Sequence, residues 1–374
     1  MKKVRGMDLK IKDMSRGGAK GTGLWTKWMR FVCMAAAFFA LPVYAVAWLI
    51  FKTAVLRDNK SSVLEKFMMK YVVSKVSNAM KAIKDNRVQG GPEEAGKGFA
   101  HFGGELERGK QWFFAQNRER ITVTSYDGLK LAAYYLPSEQ ESDKVMILMH
   151  GYRNDGFGDF SGLVEFYHSM GYHLLVPHQR SHGESEGAYI CYGVKERYDV
   201  KQWTEYIRKR FDGKCSIFLS GISMGGATVL MAACLELPAQ VKGIIADCAF
   251  TSPWDIFTHV LKKDFRLPRF PFLYIADYIC RSKAGFRFKE CSTVSCMKNN
   301  RIPVLFIHGG KDTFVPAEMS YKNYEACAAP KEILIVDQAA HGTSNLVEPE
   351  LYRSTVIQFM EKNMMKLSAV EKDD

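Results

Sequence analysis

Short apolar runs alternate with stretches of helical periodicity from about residue 119 onward. The runs cover residues 144–151, 172–177, 215–221, 241–247, 302–309 and 332–337. Apolar strands separated by helices indicate a mainly parallel sheet covered on both faces. Before them, "RITVTSYDGLKLAAYYLP" alternates apolar and polar positions around Asp127-Gly128, which is typical of a β-hairpin. We therefore predict an α/β fold with a mostly parallel sheet of about eight strands.

A longer apolar run, residues 31–51, contains no charged residue. At 1.5 Å per residue it is just long enough to cross roughly 30 Å of bilayer hydrocarbon. Tryptophans flank it, as at membrane interfaces. The pattern predicts a transmembrane helix. A cleaved signal peptide is the alternative, because "AVA" at 45–47 resembles a peptidase site, although the apolar run continues beyond it.

Two further patterns lie between the apolar run and the predicted sheet. Residues 63–83 place apolar side chains at three- and four-residue steps, with lysines opposite, which predicts an amphipathic helix. Such a helix could lie on a membrane surface, pack on the folded domain or self-associate. Residues 88–110 are rich in glycine and charge and indicate a flexible linker. The predicted organisation is a basic leader (1–30), a transmembrane helix (31–51), an amphipathic helix with a glycine-rich linker (52–118) and a folded domain (119–374).

The basic charge is confined to the N-terminal part. Residues 1–90 carry 18 Lys/Arg against 5 Asp/Glu, whereas the rest of the chain is close to balanced. A nucleic-acid-binding protein would be expected to have a basic face on its folded domain, so we expect no nucleic-acid partner. The short basic leader favours a cytoplasmic N-terminus, with the folded domain outside the cytoplasm.

The cysteines, in contrast, favour a folded domain inside the cytoplasm. The chain has nine cysteines, and eight lie between residues 191 and 327 without paired spacing. Unpaired thiols are more usual in reducing compartments. Cys215, Cys234 and Cys248 fall inside apolar elements and are predicted as core residues. Two of Cys280, Cys291 and Cys296 could pair if the domain is exported. No CxxC motif is present, so no zinc site is predicted.

"LSGISMGGAT", residues 219–228, places a serine between two glycines where an apolar strand passes into a helix-forming stretch. The tight turn of a G-x-S-x-G motif pushes the serine above the sheet, and only small residues on either side let strand and helix approach so closely. Ser223 is therefore the candidate nucleophile.

A serine hydroxyl needs a base, and the base needs a group that orients it. Asp312 follows the strand 302–309, and His341 follows the strand 332–337. The carboxyl ends of parallel strands meet at one edge of a sheet, which is where open α/β sheets bind ligands. Asp247, after another strand, is the alternative acid. His150 and His308 each end a strand before a glycine and are interpreted as structural.

Acyl transfer also requires two donors for the developing oxyanion. The backbone N–H of Met224 follows the nucleophile directly. The second donor should come from the loop after the strand 144–151, and Tyr152 has the appropriate position there.

Together, "MHGYRND", "HQRSHGESEG", "LSGISMGGAT", "HGGKDTFVP" and "AAHGTS" resemble the α/β-hydrolase superfamily. The resemblance covers about residues 119–363. It is to the bacterial branch related to serine aminopeptidases and to mammalian membrane-bound α/β-hydrolase-domain proteins. It implies the α/β-hydrolase fold and a Ser-His-Asp hydrolase, with Ser223, His341 and Asp312 in those roles, that needs no metal or cofactor. Relatives often have an aspartate in place of His178.

Residues 252–301 are long for a plain connection between two strands, and insertions at this point commonly form a small cap. Six aromatic side chains of the insertion are candidates for lining an apolar acyl pocket: Trp254, Phe257, Phe265, Phe270, Phe272 and Tyr274. The function expected is that of a membrane-anchored serine hydrolase acting on a lipid-like or small ester or thioester. A peptidase or acyltransferase of the same fold, or a catalytically silent binding module, are the alternatives.

Overall fold

The computed structural model describes residues 41–57 and 102–370, with side chains described up to residue 364. Eight strands form one sheet: β1 (Glu119–Thr124), β2 (Lys130–Leu136), β3 (Lys144–Met149), β4 (His173–Pro177), β5 (Ser216–Ile222), β6 (Val241–Asp247), β7 (Val304–Gly309) and β8 (Lys331–Val336). Their order is β1-β2-β4-β3-β5-β6-β7-β8. The strand pairs β1–β2 and β2–β4 are antiparallel and the others parallel. The predicted mixed eight-stranded sheet is confirmed.

Helices cover both faces of the sheet. Residues 46–54 are helical (α1). The others are α2 (Gly103–Ala115), α3 (Phe157–Phe160), α4 (Val164–Ser169), α5 (Glu196–Arg210), α6 (Met224–Ala232), α7 (Pro253–Lys263), α8 (Phe272–Ala284), α9 (Thr293–Met297), α10 (Glu318–Ala326), α11 (Ser344–Val347) and α12 (Pro349–Val370). Alternation along β3 shows the two layers: Val145 and Ile147 join one apolar cluster, and Met146 and Leu148 join the other.

The end of the predicted transmembrane helix lies inside the folded domain. Val46, Ala47 and Phe51 are buried in the same apolar cluster as one face of the sheet. The prediction that the membrane span reaches residue 51 is therefore wrong, because Val46, Ala47 and Phe51 pack in the core of the folded domain. Residues 31–40 of that span lie outside the described residues. Within the described part of the chain, we find no helix with the length and apolar character that a membrane crossing requires.

The predicted linker also differs from the structure at its carboxyl end. Residues 103–115 form α2, and Phe113 is buried against Phe157, with ring centroids 5.1 Å apart. The folded domain therefore includes residues that precede 119. The amphipathic pattern at 63–83 lies outside the described residues.

The insertion between β6 and β7 contains α7, α8 and α9, and a disulfide ties it to the turn that follows α6. Cys234 and Cys296 are bonded. Cys234 was predicted as a core residue, but it is exposed. Cys291, one of the other candidates for pairing, keeps a buried thiol whose Sγ lies 3.6 Å from that of Cys296. Cys215 and Cys248 are buried, as predicted.

Candidate active site

The turn between β5 and α6 holds Ser223 in a strained conformation, with φ of 56° and ψ of −116°. A Cβ atom at Gly225 would lie 1.8 Å from the carbonyl oxygen of Met149, and one at Gly221 would lie 2.3 Å from the carbonyl oxygen of Gly225. Both positions therefore require glycine for β3, β5 and α6 to approach so closely. The local sequence thus fixes a positive-φ serine at the carboxyl edge of the sheet.

Loops after β7 and β8 bring two more side chains to Ser223. His341 Nε2 lies 2.9 Å from Ser223 Oγ. His341 Nδ1 lies 2.7 Å from Asp312 Oδ2. The three residues predicted from the strand ends thus form one continuous hydrogen-bonded chain.

Asp312 is held by its own loop as well as by His341. The backbone N–H groups of Phe314 and Val315 both donate to Asp312 Oδ1 at 2.9 Å. His308 Nε2 lies 3.2 Å from Asp312 Oδ2 and 2.8 Å from the carbonyl oxygen of Val315. The prediction of His308 as structural missed this contact with the acid, because its direction cannot be deduced from the sequence.

These contacts shift the pKa values of both groups. Burial alone would raise the pKa of the Asp312 carboxyl, but hydrogen bonds from His308 and His341 outweigh burial and hold that pKa well below its ordinary value. Burial alone would lower the pKa of His341. The hydrogen bond and negative charge of Asp312 outweigh it and raise the His341 pKa above 6.5. The pair therefore favours an ionised carboxylate beside an imidazole that readily accepts a proton.

Two other carboxyl groups of the described structure lie close to Ser223 and His341: Asp247 is buried and Asp159 is half-buried. Asp247, the alternative acid, makes no hydrogen bond to His341 within the described structure, and its Oδ1 has no partner there. Burial raises the pKa of Asp247 to about 6. Asp159 Oδ2 accepts a hydrogen bond from the N–H of Gly151 at 2.5 Å, and burial raises its pKa to about 6 as well. The sequence does not mark Asp159 as a site residue, because no motif or spacing in α3 indicates its contact with Gly151.

Two backbone N–H groups next to Ser223 could serve as donors to an oxyanion. The neighbours of Tyr152 are engaged, since Gly151 N–H donates to Asp159 and Arg153 N–H donates to His182 Nε2 at 3.0 Å. Among the described residues we find no acceptor for the N–H of Tyr152 itself. Met224 is the first residue of α6, where helix geometry leaves N–H groups without an intrahelical partner.

An apolar cavity of about 270 Å³ opens from Ser223 and Met224. The insertion between β6 and β7 lines part of it. Among the aromatic candidates, Phe257 and Phe265 contribute to the wall. Trp254 instead packs against Tyr274, with ring centroids 5.0 Å apart. In the described structure the wall contains no carboxylate, so the cavity suits an aliphatic group.

His178 and His150 hold the loops beside the site. His178 Nδ1 accepts a hydrogen bond from the N–H of Glu184 at 2.9 Å, so this histidine orders its own loop. His150 Nε2 accepts from the N–H of Gln179 at 3.0 Å, which agrees with its structural interpretation.

Among the described residues, two groups of side chains have ligand atoms close enough to share a metal ion. One consists of Cys248, Asp312 and His341, and the other of Cys234, Cys291 and Cys296. In the first, Asp312 and His341 are already hydrogen-bonded to each other. In the second, two of the sulfur atoms are joined in the disulfide. Neither arrangement therefore offers a free set of ligands.

Sequence comparisons find a matching family model and relatives of low identity. Residues 140–280 match the family model described as serine aminopeptidase, S33. The uncharacterized protein YqkD of Bacillus subtilis is 26% identical over 249 residues, which cover 67% of this chain and 81% of that protein. The lysophosphatidylserine lipase ABHD12 of Danio rerio is 28% identical over 210 residues, which cover 54% of this chain and 52% of that protein.

Solved structures share the fold at low sequence identity. The Pyrococcus furiosus esterase Pf2001 superposes with a TM-score of 0.56 and 22% identity, covering 67% of this chain and 93% of the esterase. The Pyrococcus horikoshii acylaminoacyl peptidase superposes with a TM-score of 0.50 and 19% identity, covering 67% of this chain and 42% of the peptidase. With the eight-stranded sheet and the serine turn after β5, these matches show that the chain has the α/β-hydrolase fold, and its sequence is similar to proteins of that superfamily.

Proposed function

We propose that this protein is a membrane-anchored serine hydrolase that cleaves ester or thioester bonds through an acyl-enzyme. The observation that carries the proposal is the continuous contact from Ser223 Oγ to His341 and from His341 to Asp312, at 2.9 and 2.7 Å. The relatives include an esterase and a lipase, and the apolar cavity beside Ser223 supports the same kind of substrate.

In the proposed mechanism, His341 Nε2 takes the proton from Ser223 Oγ as this oxygen attacks the ester carbonyl. The N–H groups of Met224 and Tyr152 donate to the oxyanion. Asp312 keeps the Nδ1 proton of His341 in place and stabilises the imidazolium. His341 then protonates the leaving alcohol or thiol, and water, activated by the same histidine, releases the acyl group and restores Ser223.

A labelling experiment tests the nucleophile. Membranes containing the full chain are treated with a fluorophosphonate probe, and Ser223→Ala is compared with Ser220→Ala. Ser220 is a buried serine of β5, three residues before the candidate, so it is a matched control. We expect the wild type and Ser220→Ala to be labelled and Ser223→Ala to stay unlabelled. A folded wild type that takes no probe would leave the catalytically silent binding module as the better account.

Peptide bond cleavage is the second candidate, because the family model that matches is named for a serine aminopeptidase. The cavity wall of the described structure offers no carboxylate to hold a substrate amine, which favours esters. Labelled enzyme is offered p-nitrophenyl esters and aminoacyl anilides under the same conditions. Faster turnover of the anilides would establish the peptidase instead, and acyl transfer to an added alcohol in preference to water would establish an acyltransferase.

Membrane anchoring is proposed from the basic leader and the apolar run that follows it, of which residues 31–40 lie outside the described structure, and from a yeast relative named as an uncharacterized membrane protein. The disulfide between Cys234 and Cys296 is of a kind that persists outside the cytoplasm, which supports an extracytoplasmic domain. Alkaline carbonate should leave the protein in the membrane pellet, and protease added to intact cells should remove the domain. Release by carbonate would refute the anchor, and protection from protease would reverse the orientation.

A further inference from the structure

Residues 46–57, here termed the N-terminal segment, form one side of the cavity beside Ser223. The residues that line the cavity recur on one face of α1: Val46, Leu49, Ile50, Thr53 and Ala54. This spacing is that of a single helical stripe. A second stripe, Ala47, Phe51 and Val55, is buried in the core of the domain. The segment therefore packs on the domain core through the stripe of Ala47, Phe51 and Val55 and faces the cavity with the other stripe.

The carboxyl end of α1 is fixed by the loop that carries the proposed oxyanion donor Tyr152. Arg153 Nη2 donates to the carbonyl oxygens of Thr53 and Leu56 at 3.1 and 2.6 Å, and Nη1 donates to that of Arg57 at 2.9 Å. The Tyr152 hydroxyl donates to the carbonyl oxygen of Thr53 at 3.0 Å. Carbonyls at the end of a helix lack intrahelical partners, and a cation there is stabilising.

Main-chain contacts after α1 complete the attachment. The N–H of Ile190 donates to the carbonyl oxygen of Val55 at 2.7 Å, and the N–H of Arg57 donates to that of Ala188 at 2.9 Å. Together they form an antiparallel bridge across the loop that follows β4. These bonds hold the segment in one register against the domain, so the side chains that face the cavity have fixed positions.

We propose that the N-terminal segment is the specificity-determining wall of an acyl site for aliphatic chains. Ile50 and Ala54 both line this cavity, so the size of their side chains sets which acyl chains fit. Arg153 is a positioning residue that couples this wall to the loop carrying the Tyr152 N–H. The inference rests on the proposed function, because the acyl group that enters the cavity is the one transferred to Ser223.

Two substitutions of opposite size test the wall in the full-length protein. We measure kcat/KM for p-nitrophenyl acetate, butyrate, octanoate and dodecanoate. Ala54→Phe should lower the ratio of dodecanoate to acetate turnover about tenfold or more, because misfit in an apolar pocket discriminates on that scale. Ile50→Ala should shift the preference towards longer chains. Trp48→Phe is the matched control, since Trp48 lies on α1 but not in the cavity wall, and its profile should equal that of wild type.

Binding measured without turnover separates this inference from the proposed function. Dodecanoate binding is followed by calorimetry in Ser223→Ala and in the same protein carrying Ala54→Phe. We expect the second substitution to weaken binding about tenfold. If the wild type hydrolyses no ester but this difference in binding is found, the proposed function is refuted, whereas the role of the N-terminal segment as the specificity-determining wall is supported. If wild type is active but Ala54→Phe and Ile50→Ala leave both the length profile and the binding unchanged in folded protein, the wall is refuted.

The coupling through Arg153 has its own readout. In Arg153→Ala the amide protons of the N-terminal segment should exchange faster. The fall in kcat should exceed any change in KM, because the loop carrying the Tyr152 N–H loses its hydrogen bonds to the end of α1. Arg153→Lys keeps the charge but cannot reach three carbonyls at once, so it should recover only part of kcat. Unchanged exchange and unchanged kcat in Arg153→Ala, at wild-type melting temperature, would contradict the coupling.

Discussion

Replacing Asp312 by asparagine removes the charge next to His341 while keeping the shape of the side chain. The N–H groups of Phe314 and Val315 point at Oδ1. The amide oxygen of asparagine should therefore stay at that position, and the amide nitrogen should face His341. This nitrogen donates to His341 Nδ1, so the ring proton moves to Nε2. With a proton already on Nε2, His341 can no longer accept the proton of Ser223.

The expected loss of kcat follows from the imidazole of His341 carrying its proton on Nε2. An imidazole that holds its proton on the wrong nitrogen costs about 10⁴-fold in kcat, which corresponds to about 5 kcal/mol of activation free energy. Hydrolysis of p-nitrophenyl butyrate across a range of pH measures it. Asp247→Asn is the matched control, because the same change is made in a buried carboxyl group that makes no hydrogen bond to His341 within the described structure, and we expect it to cost less than about tenfold.

The opposite ranking would refute this reasoning. If Asp247→Asn abolished turnover and Asp312→Asn did not, the acid that orients His341 would be Asp247. Circular dichroism and the melting temperature of both variants show whether each one is folded, so loss of activity cannot be confused with loss of structure.

Further predictions follow from the same site. Because the pKa of His341 is raised above 6.5 and the base must be neutral, kcat/KM should rise with pH and reach half its maximum above pH 6.5; a midpoint below that value would contradict the coupling to the carboxylate. Gly225→Ala should lower the free energy of unfolding by about 3 kcal/mol or more, measured by urea denaturation, because its Cβ would lie 1.8 Å from the carbonyl oxygen of Met149; wild-type stability would show that the strand and helix are not so close. Cys234→Ser should lower the free energy of unfolding by about 2–4 kcal/mol in oxidising buffer and leave it unchanged under dithiothreitol, since the bond to Cys296 spans 62 residues; equal stability in both buffers would argue that the bond does not form.

The sequence sufficed to predict the sheet and the meeting of Ser223, Asp312 and His341. Each of these residues follows an apolar strand, and the carboxyl ends of parallel strands meet at one edge. The glycines around Ser223 mark the turn in the sequence. A Cβ atom at Gly221 would meet the carbonyl oxygen of Gly225 in the same turn, whereas one at Gly225 would meet that of Met149 on β3, a contact that only the folded structure shows.

The N-terminal segment could not be assigned in the same way. An apolar run without polar positions has no periodicity, so its sequence is equally compatible with a bilayer and with the interior of a domain. The decisive contacts come from residues about a hundred positions away, such as the bonds from Arg153 to the carbonyls that end α1. The position of the Asp159 carboxyl beside the site and the pairing of Cys234 with Cys296 were missed for the same reason, since both depend on packing between separate elements.

Direct observation of the acyl-enzyme tests the central claim most closely. The full-length protein is mixed with p-nitrophenyl butyrate, quenched in acid within the first turnover and digested, and the peptides are analysed by mass spectrometry. We predict a butyryl group on Ser223 that decays as butyrate appears. Butyrate release without any acylated Ser223, or acylation at another residue with the same kinetics, would contradict the account.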